Sequence, residues 1–95
     1  MTSITDAARF RAKPGVVATD LETEVVLLDP ETREMFSLNA TGRVVWRALP
    51  GRVADLAAEV TRIFDVDGGR ALEDVRGILG DLLAAGLVVP EDRDA

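Results

Sequence analysis

Apolar positions along the chain change their spacing near residue 38, from a period of two before it to a period of three and four after it. Three short runs come first, Val16 to Thr19, Glu24 to Asp29 and Glu34 to Leu38, separated by an acidic turn and by Pro30-Glu31-Thr32. Apolar and β-branched runs bounded by such turns predict a three-stranded antiparallel meander. In the third run Met35 and Ser37 alternate with Phe36 and Leu38, so the two pairs face opposite sides, and Phe36 and Leu38 are the better core pair. The second run, Val25-Val26-Leu27-Leu28, is apolar on both faces; such a strand is either central and covered twice or lends one face to a groove.

Beyond Leu38 the spacing is helical. Asn39 suits a helix N-cap, with its side chain accepting the amide hydrogens of a first turn at Thr41 and Gly42, and a helix is expected from Ala40 to Leu49, stopped by Pro50-Gly51. Val53, Leu56, Ala57, Val60, Ile63 and Phe64 form one stripe of a second helix. Asp67 caps a third, in which Leu72, Val75, Leu79, Leu82 and Leu83 recur up to Gly86, a natural left-handed C-terminal position. Leu87-Val88-Val89 is extended and closed by Pro90. Residues 1–13 show no periodicity and are expected to be flexible, residues 14–89 form one domain, and residues 90–95 are an acidic tail. The fold class predicted is α+β, winged-helix-like, with a three-stranded antiparallel sheet followed by three helices.

Composition narrows the functions open to such a domain. The 95 residues, 47% hydrophobic, suffice for one core. Cys and His are both absent, which removes thiolate nucleophiles, the commonest metal ligands and the usual neutral-pH base. The carboxylates are spread through turns and helix surfaces, so neither an enzyme nor a cofactor site is expected. No apolar run exceeds four residues, too short for export or a membrane span, and the reading is a soluble cytoplasmic protein. A formal charge of -6 with scattered basic residues disfavours nucleic acid.

Two features suggest a binding surface instead. The third strand of a meander is an edge, whose unpaired amides and carbonyls are a template for an added strand. On the third helix Ala71, Ile78 and Ala85 form a shoulder beside the core seam, bordered by Asp74 and Asp81, and small residues there let another chain approach; a wide core face in a small protein accounts for the same residues. Trp46 sits off the seam of the first helix, which would suit a rim where its indole N–H finds a partner, although a structural packing role is the favoured reading. Gly77 and Gly80 each cost the third helix roughly 1 kcal/mol relative to Ala, and nothing in the sequence accounts for them. A winged-helix DNA-binding regulator has the same helix order, but its third helix would offer Arg70 and Arg76 among Glu73, Asp74 and Asp81, poor chemistry for phosphates. A homodimer through the open edge is the remaining alternative.

The order of residues is familiar at this point: Val26-Leu27-Leu28-Asp29-Pro30 and a turn, then Phe36-Ser37-Leu38-Asn39-Ala40-Thr41-Gly42 leading to Trp46, then Asp74-Val75 leading to Leu82 and Gly86-Leu87. Over roughly residues 14 to 89 the chain resembles the family of pyrroloquinoline quinone biosynthesis protein D, the recognition elements for precursors of ribosomally made, modified peptides. The resemblance implies that a precursor's leader peptide adds as an antiparallel strand beside the third strand and lies in the cleft between it and the third helix. Carried over, Arg33, Glu34, Met35, Phe36, Ser37 and Leu38 would supply backbone hydrogen bonds. Ala71, Asp74, Val75, Ile78 and Leu82 would line the helical wall, and Asp74 and Asp81 would meet basic residues of the leader. Among relatives it looks most like the free-standing leader-binding proteins of lasso-peptide clusters, which implies a leader peptidase and a cyclase as partner enzymes. The alternative within the family is the quinone-cofactor pathway, where a precursor is handed to a radical enzyme.

Overall fold

The computed structural model describes residues 4–91, which form an α+β domain with three helices and two three-stranded antiparallel sheets. In chain order the elements are β1 (Arg9–Ala12), β2 (Val17–Asp20), β3 (Val25–Leu28), β4 (Met35–Leu38), α1 (Ala40–Ala48), β5 (Gly51–Arg52), α2 (Val53–Ile63), α3 (Gly68–Ala84) and β6 (Val88–Pro90). The meander is the sheet β2-β3-β4, with Val25 opposite Asp20 on one side and Leu38 on the other. Alternation sends Val25 and Leu27 of β3 and Leu38 of β4 into the core, where α1 contributes Val45, α2 Leu56 and Val60, and α3 Val75, Leu79 and Leu82.

A single sheet was expected, and a second one corrects that count. The stretch 1–13, read as aperiodic, contains β1, which pairs with β5 on one side and β6 on the other. Phe10, the one large apolar residue of β1, is buried, and Ile4 and Ala8 pack against the same core. The carbonyls of Asp6 and Ala8 accept hydrogen bonds from Ala54 and Val53 N–H. They cap α2, whose N-cap Arg52 provides no side-chain acceptor. This sheet joins both ends of the chain to its middle, so its partners are far apart in sequence and no local pattern marks it. Pro90, expected in a solvated tail, closes β6, and Glu91 bonds Arg9. Residues 1–3 of the expected flexible end and residues 92–95 of the expected tail lie outside the described residues.

The strand β3 is central, as one of the two alternatives required, yet only one of its faces is covered. Leu28 is 37% exposed and lies in register between Val17 and Met35, themselves 50% and 70% exposed. The helix ends follow their caps: Asn39 Oδ1 accepts from Gly42 N–H at 2.9 Å, Asp67 Oδ1 from Arg70 N–H at 2.9 Å, and Gly86 takes φ 74° just past α3. α1 ends one residue earlier than expected, at Ala48.

The segment Leu38 to Gly42 fixes β4 against α1. A Cβ built on Gly42 would lie 2.8 Å from Leu38 Cβ, closer than side-chain carbons pack. Gly42→Ala is therefore expected to destabilise the domain by about 1–3 kcal/mol through overpacking, although alanine is the better helix former; the urea midpoint measures it.

The β3–β4 turn is held by the one buried charge among the core residues. Asp29 is 2% exposed and pairs with Lys13, Nζ to Oδ2 2.7 Å, and Lys13 also reaches Glu31 at 2.8 Å. Asp29 Oδ1 further accepts from Glu31 N–H, and its backbone carbonyl from Arg33 N–H. The Lys13 ammonium holds the Asp29 carboxyl below its usual range, and Asp29 in turn raises the Lys13 pKa. At the other end of the meander the Arg43 guanidinium, bidentate to Asp20, holds that carboxyl down to about 2. Carboxylates with depressed folded pKa values stabilise above their ordinary range and lose that contribution as pH falls through the folded value. Stability is thus expected to fall progressively below about pH 4, and the pH dependence of the urea midpoint should flatten in Asp29→Asn and in Asp20→Asn. A wild-type profile that these substitutions leave unchanged would contradict it.

Candidate functional site

β4 is an edge of its sheet, and the hydrogen-bond pattern identifies which of its backbone groups are turned outward. Asp29 N–H donates to Glu34 C=O at 3.0 Å, which fixes the pairing at the turn. Antiparallel ladders alternate bonded and non-bonded pairs, so Phe36 with Leu27 and Leu38 with Val25 are the bonded pairs. The peptide groups of Met35 and Ser37 then point away from β3, with no strand beside them among the described residues. Arg33 and Glu34 are engaged in the turn: Arg33, at φ 64°, donates its N–H to Asp29, and Glu34 donates to Thr32 Oγ1. The six positions expected to offer backbone bonds, Arg33 to Leu38, therefore reduce to two.

Beside the C-terminal end of β4 lies an open cleft of ≈ 420 Å³ between the start of α1 and α3. Asn39 and Thr41 form one side; Arg70, Glu73, Asp74, Gly77, Ile78 and Asp81 form the other. Asp74, Gly77, Ile78 and Asp81 share one face because their spacing follows the helical turn. Ala71, Val75 and Leu82, expected on this wall, are wholly buried in the core and present no surface to it, which corrects their assignment. For Ala71 the core-face account of the shoulder holds; Ile78, half-buried, is on the cleft. Of the expected helical residues the fold thus brings together Asp74, Ile78 and Asp81. Sequence reasoning missed Asn39, Thr41, Arg70, Glu73 and Gly77 as lining residues. Gly77 could have been found by its place one helical turn after Asp74.

Three carboxylates, Glu73, Asp74 and Asp81, share the α3 side of the cleft with one guanidinium, and Arg70 is already paired with Asp74 at 3.4 Å. That exposed pair contributes little by itself, and the cleft keeps a net negative rim around Ile78. Among the described residues no group of carboxylates converges into a metal site, and no helix is long and apolar enough to cross a membrane.

The family model of coenzyme PQQ synthesis protein D (PqqD) matches residues 24–88. The chain is similar to TbiB1, solved in complex with the TbiA(beta) leader peptide, at 26% identity and TM-score 0.75 over 90% of this chain and 99% of that one. It is similar to lasso peptide synthetase B1 complexed with the leader peptide, at 26% identity and TM-score 0.74 over 85% and 98% of the two chains. The PqqD truncation of Methylobacterium extorquens PqqCD, a stand-alone recognition element for ribosomally synthesized and post-translationally modified peptides, shares the fold. Its identity is 22% and its TM-score 0.76, over 93% and 96% of the two chains. No curated protein matches the chain.

Proposed function

The chain belongs to the family of coenzyme PQQ synthesis protein D (PqqD), and we propose that it binds the leader of a ribosomally made precursor peptide as an antiparallel strand on β4. The leader lies against α3 and is presented to modifying enzymes. The observation that carries this reading is the outward-facing backbone of Met35 and Ser37 on β4, together with the cleft lined by Asp74, Ile78 and Asp81 that opens just past the end of that strand, at Asn39. A strand laid there gains backbone hydrogen bonds from β4 and side-chain contacts from α3, the two sources that strand addition combines. Two similar structures hold leader peptides, one of them a lasso peptide synthetase component. On that likeness we propose a lasso peptide pathway in the cytoplasm, with a leader peptidase and a cyclase as the enzymes served; handing a precursor to a radical enzyme of quinone-cofactor synthesis is the alternative. The domain itself recognises and does not catalyse.

We take the helix order as winged-helix-like, and a DNA-binding role on that ground finds no support in the charges. Both arginines of α3 are ion-paired, Arg70 to Asp74 and Arg76 to Asp6, and the chain carries -6 overall. Self-pairing of β4 edges would compete with leader capture and would appear as a concentration-dependent dimer without peptide.

The test is an amide NMR titration with synthetic leaders of lasso precursors and of quinone-cofactor precursors. Saturable shifts are expected at Met35 to Thr41 and Arg70 to Asp81, sparing β1, β5 and β6. The affinity should be on the order of micromolar, since a disordered leader loses ordering entropy on docking. Which class saturates decides the pathway; no shift with either class at about millimolar peptide would reject leader capture.

A further inference from the structure

We infer that Gly77 is a specificity-determining position: its missing side chain leaves a notch in α3 that a bulky side chain of the bound leader enters. The inference rests on the leader reading above and deepens it. Glycine is a poor residue for the middle of a helix, and Gly77 lies nine residues into the 17-residue α3. Two internal reasons for a glycine are absent there. Its backbone is not in the left-handed region, as that of Gly86 is, and a Cβ built on it would meet no heavy atom within 4 Å beyond its chain neighbours and the adjoining backbone of its own helix. What lies above it is the cleft.

The geometry gives that empty space a use. The wall from Arg70 to Asp81 runs about 16 Å along α3, enough to face about five residues of extended peptide. A strand added to β4 alternates its side chains, so every second one falls on the same side, the side that the leader reading turns toward α3. Between Asp74 at one end of the stripe and Asp81 at the other, the only side chain on the wall is Ile78, with bare backbone at Gly77 beside it. A leader residue with a large apolar body can settle there, its face on Ile78 and its edge in the notch, whereas a methyl group at position 77 would project into the same volume.

Gly80 is the internal control. It is equally free of contacts for a built Cβ and sits in the same helix, but it does not border the cleft. A glycine in α3 is therefore not by itself a sign of a site, and the inference stands on position. Gly77→Ala and Gly80→Ala should both fold and both raise the thermal midpoint, by about 4–8 °C, the usual response of a domain this size to a better helix former.

The experiment pairs thermal denaturation with calorimetric titration of a synthetic lasso-precursor leader that saturates the wild-type protein. Gly77→Ala is expected to weaken binding at least tenfold and Gly77→Leu further, while Gly80→Ala stays within about twofold of wild type, inside ordinary additivity error. Wild-type-like binding by Gly77→Ala overturns the inference and leaves leader capture standing. Equal weakening by Gly80→Ala also overturns it, because the effect would then come from the helix and not from the notch. A lowered midpoint for Gly77→Ala overturns it as well, by revealing an internal packing role. Failure of every leader to bind the wild-type protein would remove the leader reading itself, an outcome distinct from the other three.

Discussion

Ser37→Pro is expected to weaken leader binding at least tenfold while the domain remains folded. Alternation from the Asp29–Glu34 bond turns the Ser37 peptide group away from β3, so its N–H is not part of the sheet. Proline is tolerated on an edge strand whose N–H faces outward, and the preceding Phe36 is already in the extended conformation that proline demands. An added strand, by contrast, needs that N–H, and the proline ring would stand where its carbonyl approaches. The lost bond and the steric block act together on binding alone, and one backbone bond is worth about 1 kcal/mol before any clash. Calorimetry against a leader that saturates the wild type measures the loss, and the urea midpoint measures the fold. Ser37→Ala should bind normally, since strand addition would use the backbone of Ser37 and not its side chain. Undiminished binding by a folded Ser37→Pro would show that the leader docks elsewhere and does not extend β4.

The residues of this site were legible to different degrees, and the difference has a physical origin. β4, its alternation and its position as an edge follow from a local period of two and from the turn at Pro30, so Met35 and Ser37 were within reach. What the sequence could not supply was the phase of the hydrogen bonds. That depends on the pairing of Asp29 with Glu34 and on Arg33 adopting a left-handed conformation, which a non-glycine residue seldom does. On α3 the helical period located the stripe but not how far the core wraps around it. Ala71, Val75 and Leu82 are enclosed in a core that α3 shares with α1 and α2, a tertiary fact. Gly77 was noticed as a cost to the helix without a reason, and a cleft is visible only when Asn39 and Thr41 are brought opposite it. Capping was the most legible of all, since Asn39 and Asp67 act within three residues of themselves.

The least legible element carries the largest expected effect on stability. Phe10→Ala should destabilise the domain by about 3–5 kcal/mol, the usual loss for truncating a buried phenylalanine, from a total of about 5–15 kcal/mol for a domain of this kind. Phe10 is 4% exposed and sits where β1 meets both β5 and β6, opposite Gly51 and Pro90. Removing the ring empties the contact between the second sheet and the helical core, and it loosens the segment whose Asp6 and Ala8 carbonyls cap α2. α2 packs on α3, so the weakening reaches the wall of the cleft although no leader atom is expected near Phe10. A leader binds only the folded form and should therefore recover part of the lost stability in proportion to its concentration. Urea denaturation with and without leader measures both quantities. A loss below about 0.5 kcal/mol, the level of an ordinary surface substitution, would mean that β1 is not docked and that the N-terminal stretch behaves as its aperiodic sequence suggests. A loss in the expected range would make residues 4–12 part of the smallest unit able to hold a leader.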